Sequence, residues 1–185
     1  MKGPMTPLQQ IAMGLVIVGL DTSSAYDWYP DVLGWLLVLI GVRRFDAASR
    51  AALTYAALVA AAVSAVLWFP QLREPFFDVD LSLVWAALLP DLIFCFLLCR
   101  VLEQLARPTD PKGAVHFGSL KVLFVLLALA PVVAVAADQE SWLGYVDLGK
   151  VIALIWLIWM LFARNSREYA KPPATTGATG GSQNS

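Results

Sequence analysis

Between Ala51 and Pro70 the chain runs for twenty residues dominated by Ala, Val and Leu. A hydrocarbon core about 30 Å thick takes about 20 helical residues at 1.5 Å each, so this stretch is suited to a membrane span. The rest of the chain can be measured against the same ruler.

Composition agrees with a chain dissolved in lipid. Of 185 residues 59% are hydrophobic and 15% charged, with mean hydropathy +0.68. A soluble domain is nearer about half apolar and about a quarter charged. The net charge of -1 leaves no basic surplus to neutralise a phosphate backbone, which argues against a nucleic-acid partner.

The first segment, Pro7 to Leu20, is read as a retained helix. Its short apolar part, Ile11 to Leu20, lies between Lys2 and Ser23-Ser24-Ala25, so a signal peptide is the alternative. Pro30 opens a second helix, where its missing N–H costs nothing. That helix runs from Asp31 to Arg43-Arg44, short for a span, with Gly34 and Gly41 offering close approach to a neighbour. The alanines and Ser64 of the third segment, Ala51 to Pro70, would also admit another backbone, so it is expected in the interior. Gln71 to Asp80 reads as a loop.

The fourth span, Leu81 to Arg100, continues to about Ala106; Pro90 interrupts it and frees carbonyls near Ala86. After a loop from Arg107 to Gly113 come a fifth span, Lys121 to Ala137, containing Pro131, and a sixth, Trp142 to Ala163. The fold class is therefore an all-α polytopic transmembrane bundle of about six segments, arranged as three tandem helical hairpins. Residues 1–168 form the transmembrane domain. Residues 169–185, poor in apolar side chains, are expected to be a disordered cytoplasmic tail.

Basic residues set the orientation. With the amino terminus cytoplasmic and all six segments crossing, the inner side holds Lys2, Arg43, Arg44, Arg50, Arg100, Arg107, Lys112, Lys121, Arg164, Arg167 and Lys171, eleven of the thirteen. Trp28, Trp68 and Trp142 then fall at the outer boundary, the level that amphipathic rings favour. Both termini are thus expected in the cytoplasm.

Three aspartates stand in similar settings: Tyr29-Pro30-Asp31-Val32, Leu89-Pro90-Asp91-Leu92 and Tyr145-Val146-Asp147-Leu148. Their spacing suits a repeated two-helix unit, although four-residue echoes in an apolar chain also arise by chance. Asp31 fits an interfacial helix N-terminus, where the dipole favours a carboxylate. Asp91 lies near mid-membrane, where a charge costs at least about 2.5 to 3.5 kcal/mol. It serves either as a proton carrier or as a structural acid bonded in the gap that Pro90 opens. Asp147 and Lys150, three apart on one helical face, compensate one another. Asp31, Asp91, Asp147 and Lys150 make up the candidate intramembrane polar site.

No Gly-rich phosphate loop, zinc helix or nucleophile elbow is present, and His116, assigned to an inner loop, has no partner for a triad or a metal cluster. Cys95 and Cys99 share a helical face and read as small hydrophobes. Neither catalysis nor a cofactor is expected.

Residues 28 to 42, Trp-Tyr-Pro-Asp-Val-Leu-Gly-Trp-Leu-Leu-Val-Leu-Ile-Gly-Val, resemble small, uncharacterised bacterial integral membrane proteins that carry a Leu-Pro-Asp-x-Ile/Val-Gly-Trp/Tyr helical hairpin. Tyr29 replaces the leucine of that pattern and Leu33 its β-branched residue. The resemblance implies a bacterial inner (cytoplasmic) membrane location and carries no activity. The lipid bilayer is the expected partner. Two functions are open: a non-catalytic accessory or assembly subunit bound to other membrane-protein subunits, and a small transporter or proton-coupled carrier using its intramembrane acids.

Overall fold

The computed structural model describes residues 5–19, 31–45, 50–69 and 81–167. Among these residues are six α-helices and no strand: α1 Pro7–Gly19, α2 Asp31–Arg44, α3 Arg50–Leu67, α4 Leu81–Ala106, α5 Pro111–Ala136 and α6 Leu143–Ala163. A 3-10 turn, Glu140–Trp142, leads into α6. The polar stretch between the first two segments, the loop expected from Gln71 to Asp80 and the tail from 169 lie outside the described residues, apart from Asp31.

Local chemistry explains the ends. Thr6 and Gln9 form a capping box, each side chain accepting from the other's backbone N–H at 3.1 and 3.3 Å, with Pro7 in the first helical position. Asp110 caps α5 by accepting from Gly113 N–H at 3.0 Å, and Pro111 follows it. Just beyond the other end of α5, Asp138 adopts a left-handed φ of 55°, a conformation that aspartate tolerates. α4 and α5 each continue as a single helix through Pro90 and Pro131.

Each helix packs mainly on its neighbours in sequence, and α6 returns to α1, closing a ring. The tightest seam joins α1 to α2. A methyl group at Gly14 would stand 2.5 Å from the Gly34 carbonyl oxygen, and one at Gly34 would stand 2.7 Å from the Gly14 carbonyl oxygen. A methyl group at Gly41 would stand 2.9 Å from the Pro7 carbonyl oxygen of α1. Across the ring, Trp35 of α2 meets Phe94 of α4 edge to face at 5.2 Å. The Trp85 indole donates to the Ala128 carbonyl at 2.8 Å, joining α4 to α5 beside the carbonyl of Leu127, which Pro131 leaves without its helical donor.

Outside the ring the surface is apolar. Leu36 and Ile40 of α2, Leu126 and Leu129 of α5, and Ile152 and Ile155 of α6 are all exposed. A surface of this kind suits lipid rather than water. α3, α4, α5 and α6 are long and apolar enough to cross a bilayer. The chain is an integral, multi-pass membrane protein. α1 and α2, at 13 and 14 residues, span only about 20 Å.

Two expectations need correction. α5 begins at Pro111, ten residues before Lys121, so His116 lies on a helix rather than in a loop, its ring 6.1 Å from that of Trp156. α3 is not interior. It buries Leu53, Ala57 and Ala60 along one stripe, while Tyr55 is 72% exposed. Small side chains permit close approach on any side, and here only one side is used.

Candidate functional site

Between α1, α2, α4, α5 and α6 lies an open cavity of about 870 Å³. Asp91 enters it from the middle of α4, ten residues or about 15 Å from Leu81. Asp147 and Lys150 enter from the first two turns of α6. The remaining α6 lining, from Val151 to Phe162, is apolar, so one end of the cavity is polar and about three turns of it are greasy.

The polar end gathers the residues singled out by sequence. Lys150 Nζ pairs with Asp147 Oδ1 at 2.6 Å, the local pair that their spacing predicts. Lys150 is mostly buried, at 20% side-chain exposure, whereas Asp147 is open at 70%. Asp91 takes part in none of the hydrogen bonds or ion pairs found among the described residues, yet lies within electrostatic reach of both Lys150 and Asp31. Asp31, the first residue of α2, is thus near enough for its charge to be felt at Asp91. Two carboxylates and one ammonium line the cavity, with a third carboxylate nearby.

Trp35 also borders the cavity, and its buried indole N–H finds no acceptor among the described residues. Cys95, one turn beyond Asp91, is buried in the same wall, and Cys99 is buried a further turn on. No group of three or more His, Cys, Asp or Glu able to hold a metal occurs among the described residues.

A second polar cluster escaped the sequence reading. Glu103, near the end of α4, accepts from Arg107 at 2.7 Å and from Lys121 of α5 at 2.5 Å. Asp110, 6% exposed, receives Arg164 from just beyond α6 and also caps α5. Burial raises the Asp110 pKa, but the Arg164 hydrogen bond, the Gly113 N–H and the charges of Arg164 and Arg167 outweigh it and hold the carboxyl below the ordinary range. Two signals were readable: Glu103 and Arg107 are four apart, and Asp110-Pro111 is a helix-start pair. This cluster fastens α4, α5 and the end of α6 together, which holds the walls of the cavity in place.

Comparison with known protein families, curated proteins and solved structures finds no match to this chain.

Proposed function

We propose that the protein is a non-catalytic carrier that holds a solute in the intramembrane cavity against Asp91. One observation carries the reading: an acid within the apolar helix α4, without an ion-pair partner among the described residues, faces a cavity large enough for a small molecule. An isolated charge at the centre of a span costs at least about 2.5 to 3.5 kcal/mol, so the carboxyl is stabilised by taking up a proton or a cationic solute. Exchange of one for the other couples solute movement to a proton gradient. Asp31 and Asp147 bias the site toward positive charge, and Lys150 opposes them. The basic end formed by Arg107, Lys112, Arg164 and Arg167 faces the cytoplasm of a bacterial inner membrane, following the positive-inside rule.

The test is flux into proteoliposomes under a pH gradient, using a panel of organic cations, organic anions and neutral solutes. At least one solute moves with wild-type protein, and Asp91→Asn abolishes that movement while preserving expression and thermal stability. Flux unchanged in the variant removes Asp91 from the mechanism, and no flux for any solute removes the carrier.

The outward stripe of α3 supports a second reading, as an accessory subunit. Ala51, Ala52, Tyr55 and Ala62 lie on an exposed face where small residues admit another helix. Purification in mild detergent then recovers a stoichiometric partner, which Ala62→Trp releases. A lone monomer in several detergents excludes it.

A further inference from the structure

The carrier reading leaves the solute unnamed, and the cavity narrows the choice. Its polar end carries two carboxylates against one ammonium, and that ammonium is already held by Asp147 at 2.6 Å. An anionic head would meet the surplus carboxylate and find no free basic group in the lining. A neutral occupant is compatible only with a protonated Asp91 and would leave the ionised carboxylate uncompensated. A bare metal ion would need about six oxygen ligands, and the described residues offer no such cluster. An organic cation is the occupant that pairs with ionised Asp91 while Lys150 stays on Asp147.

The rest of the lining fixes its body. Beyond Lys150 the α6 wall consists of Val151, Leu154, Ile155, Ile158, Trp159 and Phe162, which offers no hydrogen bond to a polar solute apart from the Trp159 indole. Val151, Ile155 and Trp159 are more than half exposed while lining the cavity, so neighbouring helices do not seal this wall. The wall is therefore open on its lipid side. α1 ends here, with Gly19 against Leu154, three turns into α6.

We infer that the cavity takes an amphiphilic cation, a single ammonium centre on an aliphatic or aromatic body, which enters from the bilayer with its head on Asp91 and its body along α6. The inference rests on the carrier reading for the solute's passage, though binding can be measured separately.

The experiment places wild-type protein in phosphatidylcholine nanodiscs and titrates chain-brominated dodecylammonium, whose bromines quench tryptophans that the chain touches. Chain-brominated dodecanoate, dodecanol and phosphatidylcholine serve as anionic, neutral and bulk-lipid arms. Dodecylammonium is expected to quench saturably, at least about tenfold more tightly than the other arms. Trp159→Phe removes part of the quenched emission. Asp91→Asn weakens binding at least about tenfold, Asp91→Glu retains it, and Ile158→Trp, which fills the greasy end, abolishes it.

Equal quenching by all arms, quenching that never saturates, or full affinity in Asp91→Asn overturns the assignment. If Asp91→Asn does not fold, the head-group preference of the wild type and the Ile158→Trp result decide. Tight ammonium binding without pH-driven flux sinks the carrier and leaves the ligand class standing. Flux of another solute class without ammonium binding does the reverse.

Discussion

Asp110→Ala removes two attachments at once, the cap on α5 and the ion pair to Arg164. Loss of an N-cap costs typically about 1 kcal/mol. Deleting one partner of a buried ion pair costs about 3 to 5 kcal/mol, because the other charge is left behind, and Arg164 is only 17% exposed. A loss of about 4 kcal/mol, at about 2 to 4 °C per kcal/mol for a chain of this size, lowers the melting midpoint by about 8 to 16 °C. Cys95 and Cys99 supply the assay: both are buried, so a fluorogenic maleimide in detergent stays dark until the bundle opens. Asp110→Asn keeps a capping side chain and melts above Asp110→Ala by about 2 to 4 °C.

The pH dependence has a definite sign. The Asp110 pKa is lower folded than unfolded, so its contribution is complete above the unfolded carboxylate value of about 3.9. As pH falls below that value toward the folded pKa, the contribution is lost. The gap between wild type and Asp110→Ala therefore closes in acid. If Asp110→Ala melts within a degree of wild type at neutral pH, or if the gap is undiminished in acid, the fastening role is refuted.

Two helical glycines, Gly14 in the α1–α2 seam and Gly144 on α6, predict different outcomes. Gly14→Ala drives a methyl group into the Gly34 carbonyl and costs about 1 to 3 kcal/mol, whereas Gly144→Ala meets nothing within 4 Å and is neutral or stabilising in the same thermal assay. A double-mutant cycle between Glu103 and Lys121 yields a coupling of about 0.5 to 3 kcal/mol in melting free energy; zero coupling means that the 2.5 Å contact does not contribute.

What sequence alone reveals here depends on how local the cause is. Span lengths, the Asp147–Lys150 pair and the close approach at Gly34 and Gly41 follow from spacing and side-chain size within one helix. The start of α5 is equally local in Asp110-Pro111, but the polar Lys112 and His116 precede the unbroken apolar run that a span suggests. Their charges are accommodated near the bundle's end, where Lys121 reaches Glu103. The meeting of Asp31, Asp91 and Lys150 comes from ring closure between helices far apart in the chain, which no spacing rule contains. The side of α3 that faces inward is likewise chosen by its neighbours.

α6 leaves the ribosome after the other five helices, and only its return to α1 completes the lining around Asp91. Until then Asp91 lacks the α6 wall and the Lys150 charge that face it in the finished protein. Any change that slows the docking of α6 prolongs that state and exposes the nascent protein to membrane proteases, even when the finished fold would be stable. Cellular abundance is therefore a more sensitive gauge of Arg164 substitutions than the melting point of whatever survives to be purified.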